Sequence, residues 1–236
     1  SADWNGEVSL SYKVSQTPGK SRYNNNLPTQ SFDPKNHEQS EIISNKKTGI
    51  YSVEASGRLN NNADKLTILS EAKGINEENG GGHYGGSGYF AYAEGLPIGS
   101  ESTFNGSSIE IYSSATSEAR AYSKGLVNTN LRFGGEGKTI QASIKSIANT
   151  PNNQGTAIGL EHSKISTYKE SIITIESSVL SLSRSGWKDE HDHAIGLDES
   201  TINGSKFNDY LDISASNTTR ARSFSTAIYG SYIKLD

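Results

Sequence analysis

The sequence predicts an all-β chain wound as a parallel β-solenoid, and three observations carry that expectation. A short motif returns at a loose period, an alternating apolar pair returns between its copies, and the composition is too polar to fill a thick core. The motif is plainest where "TAIGLEHSKI" at 156–165 is nearly repeated as "HAIGLDESTI" at 193–202. Related copies are "EASGRL" at 54–59, "YAEGLP" at 92–97, "YSKGLV" at 122–127 and, more weakly, "TAIYGSYI" at 226–233. The aligned glycines are Gly57, Gly95, Gly125, Gly159, Gly196 and, one residue out of register, Gly230, with successive gaps of 38, 30, 34, 37 and 34 residues. A sustained period of this size marks a repeat architecture.

Taken in chain order, the first element is "EVSLSYKV", a strand with Val8, Leu10, Tyr12 and Val14 alternating. Residues 1–46 lack the motif and continue into the Asn-rich "YNNNLPTQSFDPKNHEQ", so they are expected to cap the solenoid, whose end would otherwise expose a strand edge. Residues 47–236 form the solenoid proper. Between its glycines come the apolar pairs Leu66 and Ile68, Ile109 and Ile111, Ile173 and Ile175, Leu211 and Ile213, and the run Ile140, Ala142, Ile144. Each pair is spaced by two, which points both members to one face of a strand and the polar residue between them to water. A further element follows the motif, since Leu131, Ile165 and Ile202 each lie six residues after Gly125, Gly159 and Gly196. One winding therefore supplies two or three short strands, and about five to six irregular windings are expected. Small Ala and Gly in "AIGL" suit a tight corner in which Gly adopts a positive φ. Inserts at 76–90, 149–155 and 183–193 are expected as protruding loops. The chain stops within "GSYIKLD", mid-winding by this pattern, so a fragment of a longer solenoid is expected.

Composition agrees. Only 32% of the 236 residues are hydrophobic while 24 are Gly, yet the net charge is just −4, which argues against a self-repelling disordered polymer. A thin solenoid buries alternate residues only, and backbone hydrogen bonds between windings satisfy the polar chain. The sequence contains no Cys and no Met. The first absence excludes thiol catalysis, disulfide staples and Cys-based zinc sites. No apolar run approaches the roughly 20 residues that a membrane helix requires. The negative charge, with Arg220 and Arg222 as the one notable basic pair, lacks the broad positive surface that nucleic acid needs.

The irregular winding length, the Ser/Thr/Asn-rich surface, the lack of Cys and the "A-x-G-L" plus "I-x-I" pattern of residues 47–236 together resemble a bacterial autotransporter passenger domain of the self-associating adhesin type. The resemblance implies a right-handed parallel β-helix on a Gram-negative cell surface, held to the outer membrane through a segment outside this sequence. It implies adhesion, biofilm formation and virulence as the setting, with a second copy, a host glycan or a surface protein as partner. No cofactor, nucleic acid or membrane contact by this segment is implied. Such passengers cross the outer membrane unfolded, which fits a chain without disulfides. "TAIGLEHS" and "HAIGLDES" also resemble the head repeats of trimeric autotransporter adhesins, but those recur at a much shorter period. The β-helices of phage tailspikes and polysaccharide-degrading enzymes share most of these traits and make the alternative reading.

Candidate binding residues sit mainly in the inserts. "WKDEHDH" offers Asp189, Glu190, His191, Asp192 and His193 as oxygen and imidazole donors for a divalent metal, although adjacent residues of one loop seldom converge on one ion, and no metal is expected. Trp187 is a candidate to stack on a sugar ring, against the more ordinary role of an aromatic that pins the loop to the side of the solenoid. The Gly-rich "NGGGHYGGSGYFAY" lacks the Gly-Lys-Ser/Thr ending of a phosphate loop, and His83, Tyr84, Tyr89 and Tyr92 are its contact candidates. The binding set is thus His83, Tyr84, Tyr89, Trp187, Asp189, His191 and His193. No catalytic residue is assigned; the enzymatic option rests on Glu110, Glu176 and Asp212 stacking as an acidic row, since glycoside cleavage uses two carboxyls roughly 5 to 10 Å apart.

Overall fold

The computed structural model describes residues 7–15, 30–31, 37–47, 50–61, 65–74, 90–97, 101–117, 120–134, 139–150, 154–181, 191–204, 209–219 and 223–234. All regular structure among them is strand. In chain order these are β1 (Glu7–Ser15), β2 (Gln30–Ser31), β3 (His37–Lys47) and β4 (Ile50–Asn61). A long, medium and short strand then alternate: β5 (Lys65–Gly74), β6 (Phe90–Pro97), β7 (Glu101–Phe104); β8 (Ser108–Ser117), β9 (Arg120–Val127), β10 (Asn130–Phe133). The same order continues with β11 (Ile140–Thr150), β12 (Gly155–Glu161), β13 (Lys164–Thr167); β14 (Ser171–Ser181), β15 (Asp192–Asp198), β16 (Thr201–Asn203); β17 (Tyr210–Thr219), β18 (Ser223–Tyr229), β19 (Tyr232–Lys234).

The chain is a parallel β-solenoid. Its first face is the parallel sheet β1-β5-β8-β11-β14-β17. The second runs β4-β6-β9-β12-β15-β18 and the third β4-β7-β10-β13-β16-β19, the two sharing β4, which pairs with β6 through Ile50 to Val53 and with β7 through Asn60 and Asn61. Antiparallel pairing among the described residues is confined to β2 with β3 and β3 with β4. Three consecutive windings, β8 to β10, β11 to β13 and β14 to β16, have neighbours on both sides of every strand and burial described throughout, fewer than the five to six expected.

The predicted apolar pairs stack as ladders. Leu66, Ile109, Ala142 and Ile173 are in register, as are Ile68, Ile111, Ile144 and Ile175, and all are buried. On the third face Leu131, Ile165, Ile202 and Ile233 line up, with Phe104 and Phe133 beside them. The interior is graded in width. Large side chains fill the space between the first and third faces, whereas Ala72, Ala115, Ala148, Ala121, Ala157 and Ala194, with Val179, cluster where the first face turns into the second and the space suits small side chains. Between these zones runs a buried hydroxyl row, Ser70, Ser113, Ser146 and Ser177. Ser146 Oγ donates to the Ile158 carbonyl at 2.7 Å and Ser177 Oγ to the Ile195 carbonyl at 2.8 Å, which ties the first face to the second inside the core. Buried polar atoms must find partners, and Ser113, Ser146 and Ser177 find them across the winding, whereas the Ser70 hydroxyl has none among the described residues.

The motif glycines act differently from the expectation. Gly230 alone among the described glycines has a positive φ; Gly95, Gly125, Gly159 and Gly196 are required by close approach instead. A Cβ on Gly159 would strike Ile175 Cγ2 and the Gly196 carbonyl oxygen, and Gly125 and Gly196 are confined in the same way by the next winding. The strand register also passes from Ile158↔Ile195 to Leu160↔Leu197 with no pair at the glycines. Inward alternation slips at that point, so that Ala157 and Leu160 both face the core.

Register corrects the sixth copy as well. Ile195 pairs with Thr226 and Leu197 with Ile228, so Gly196 lies opposite Ala227, and Gly230 is three residues past the motif position rather than one. Gly230 belongs to a second ladder at the corner between the second and third faces, formed by Asn128, His162, Glu199 and Gly230 with φ of 47°, 47°, 45° and 53°. Each of the first three donates its N–H to the next winding: Asn128 to Glu161, His162 to Asp198 and Glu199 to Tyr229, at 3.0 Å each. The following residues, Thr129, Ser163, Ser200 and Ser231, repeat one arrangement. Each hydroxyl donates to the carbonyl two residues back, at 2.9, 2.8, 2.8 and 2.7 Å. The hydroxyl oxygens of Ser163, Ser200 and Ser231 in turn accept the backbone N–H of Thr129, Ser163 and Ser200.

Candidate functional site

Of the predicted binding residues, His83, Tyr84, Tyr89, Trp187 and Asp189 lie outside the described residues, as does Glu190. His191 immediately precedes β15, and Asp192 and His193 are its first two residues, so this end of the expected loop is strand. Strand alternation separates the three. Asp192 turns inward and is buried, where Oδ1 accepts the Gly155 N–H at 2.8 Å and Oδ2 accepts the Thr219 hydroxyl at 2.6 Å. Its carboxylate thereby fastens three windings together and faces away from the imidazoles. Among the described residues no group of three or more His, Asp or Glu side chains is arranged to hold a metal.

His193 points outward and stacks on Phe224, with ring centroids 5.5 Å apart and planes inclined by 21°. His191 meets the same Phe224 edge-on at 5.1 Å. Burial, and then the neighbouring His191, lower the His193 pKa below 6.5, with Asp192 opposing. The imidazole is therefore neutral at pH 7.

Register turns this local contact into part of a row. Tyr92, Tyr122, Thr156, His193 and Phe224 are successive partners along the second face, each three residues before the motif position. Their strand neighbours Ala91, Ala93, Ala121, Ser123, Ala157 and Ala194 are buried, which sends this row outward. The Tyr92 and Tyr122 rings are 6.4 Å apart, Lys124 Nζ lies 5.6 Å from the Tyr92 centroid, and Tyr92 OH donates to Glu94. Further toward the corner, Lys124 Nζ bonds both carboxylate oxygens of Glu161 at 2.7 and 2.6 Å. Asp198 lies next to Glu161 in register, and its pKa is raised above 3.8 by burial first and by Glu161 second, with His162 and Lys124 opposing and Glu199 adding. His162 and Glu199 form a solvent-exposed pair at 3.0 Å.

The outer surface of the first face carries three parallel rows. Ser108, Gln141, Ile172 and Tyr210 make one; Glu110, Ser143, Thr174 and Asp212 the next; Tyr112, Lys145, Glu176 and Ser214 the third. A shallow depression crosses the first two, lined by Ser108, Glu110, Gln141, Ser143, Ile172 and Thr174. The expected acidic row does not form. Glu176 belongs to a different row from Glu110 and Asp212 and pairs with Lys145 at 2.9 Å, because Lys145 is its register partner one winding earlier. Glu110 and Asp212 are three windings apart with Ser143 and Thr174 between them, a span of about 14 Å at normal strand spacing. That exceeds the carboxyl separations of roughly 5 to 9.5 Å used in glycoside cleavage.

No helix among the described residues is long and apolar enough to cross a membrane, a statement that leaves strand-built membrane structures aside. Comparison with protein families, with curated proteins and with solved structures gives no match. Four members of the outward row, Tyr92, Tyr122, Thr156 and His193, were present in the aligned motif, three residues before Gly95, Gly125, Gly159 and Gly196. What hid them was the variety of residue types, since Thr156 interrupts the aromatics.

Proposed function

We propose that this chain is an adhesion and self-association module, displayed on a bacterial surface as the resemblance to autotransporter passengers implies. The observation that carries the reading is the outer surface of the first face, where straight polar rows of both charge signs cross successive windings. Lys145 and Glu176 are adjacent there and partly exposed. A second copy laid antiparallel against this face sets Lys145 of each copy opposite Glu176 of the other. An exposed pair contributes about 0 to 1 kcal/mol, so no single contact suffices. The arrangement supplies two such contacts at once, with Ser143, Thr174 and Gln141 of the neighbouring rows beside them in fixed register, and the avidity comes from their number.

Sedimentation of the purified chain across a range of concentrations tests this. Reversible association is expected, weakened by Lys145→Glu or Glu176→Lys alone and restored when the two variants are mixed. Monomer at every concentration, or association indifferent to both substitutions, overturns the proposal.

A further inference from the structure

The outward row of the second face has chemistry that self-association through the first face does not use. Four of its five strands, β6, β9, β12 and β15, are interior to the sheet, so their backbone groups are consumed by neighbours, and among the described strands only β18 has an unpaired side. What remains is ring faces, hydroxyls and flanking charges on a straight line. Tyr92 and Tyr122, with planes inclined by 43°, form one two-ring platform, and His193 and Phe224, inclined by 21°, another, separated by the Thr156 winding. The Glu94 carboxylate holds the Tyr92 hydroxyl, which fixes that ring in place before anything binds. His193 is neutral, so the second platform is uncharged.

We propose that this row binds a linear, extended polysaccharide of the β-1,4-linked pyranose type, lying along the solenoid axis with sugar rings stacked on the two aromatic platforms. Pyranose rings present apolar C–H faces and equatorial hydroxyls at their rims, the complement of aromatic faces flanked by Thr156 and Lys124. The repeat also fits. Windings are spaced about 4.8 Å apart, so Tyr122 and His193, two windings from each other, stand at nearly 10 Å. In an extended β-1,4 chain successive rings are turned over, and every second ring offers the same face, at a spacing close to two windings. Lys124, the lysine beside the row, is held by Glu161, so its charge is already met by a carboxylate, and a neutral polymer suits it.

Affinity electrophoresis and calorimetry with the hexasaccharides of β-1,4-linked glucose, xylose and N-acetylglucosamine test the proposal. Binding of at least one is expected, weakened about tenfold by Tyr122→Ala and by His193→Ala, the loss of one stacked ring. Tyr122→Phe keeps the ring and is expected to bind within about twofold of the parent, which separates stacking from a folding defect. Thermal melts of each variant complete that control. Lys145→Glu, which disrupts the first face, leaves sugar binding unchanged while altering sedimentation, so the two proposals fail separately. No retardation by any of the three hexasaccharides, or binding lost with Lys145→Glu but not with Tyr122→Ala, overturns the inference. A change in sedimentation caused by Tyr122→Ala in the absence of sugar binding overturns it too, and assigns the row to a protein contact.

Discussion

At the scale of single residues, the corner between the second and third faces concentrates the least comfortable chemistry. His162 and Glu199 occupy the left-handed region that favours glycine or asparagine, a conformation worth of order 1 kcal/mol or more in cost, and the inter-winding N–H bonds at 3.0 Å hold them there. The carboxylate of Asp198 lies beside them, with its pKa raised by burial and by Glu161. An acid whose folded pKa lies above its unfolded value binds more protons when folded, so the penalty is absent below about pH 3.8 and complete once pH has risen through the folded pKa. Asp198→Asn removes that penalty. The variant is therefore expected to melt higher than the parent at pH 7 and to lose the advantage as pH falls toward 4, measured by thermal melts over that range. An advantage that persists at low pH would show that the gain does not come from ionisation, and none at neutrality would show that the Asp198 carboxylate carries no penalty where it sits. His193 has the opposite slope: its lowered pKa contributes stability that is full above pH 6.5 and is lost below it, so profiles of Asp198→Asn are best compared with the parent at each pH.

At the scale of elements, what makes these strands stack is the fit of one winding on the next at the glycines. The two-residue alternation of the first-face strands was legible without coordinates, because burial on one side leaves its mark on every second residue, from Leu66 and Ile68 to Ile173 and Ile175. So was the placement of Leu131, Ile165 and Ile202 in one row. The role of the glycines was not legible, since a positive φ and a close approach select the same residue type, and only geometry separates Gly159 from Gly230. The hydroxyl ladders were hidden for a related reason. Serine is so common here that Ser146, buried, and Ser143, exposed, differ by nothing in the sequence except their parity relative to Ile144. Gly159→Ala tests the fit. With Ile175 Cγ2 and the Gly196 carbonyl in the way, neither able to retreat without moving a strand, the cost is expected to be about 3 kcal/mol. Thermal or urea unfolding measures it, with the outward Ser166→Ala, in β13, as a reference expected to stay within about 0.5 kcal/mol. Equal stability of the two variants would mean that the windings are looser than the contacts around Gly159 allow.

At the scale of the whole molecule, each winding touches only those before and after it, so stability is distributed along the axis instead of around one centre. Strands β11 and β14 are paired on both sides, whereas β17 is paired with β14 alone among the described strands. In a parallel sheet the N–H groups of one strand point alternately to its two neighbours, and this sets an exchange pattern. Backbone amides throughout β11 and β14 should be protected together. In β17 protection should alternate, slow where the N–H points to β14 and fast where it points away, and the same contrast is expected of β18 and β19 against β15 and β16. Residue-resolved hydrogen exchange by NMR measures this at low concentration. Uniform protection across β17 would mean that its outer edge is covered, and raising the protein concentration then shows whether the cover is a second copy: protection that grows with concentration places the contact at this end and counts against the first face as the site of self-association.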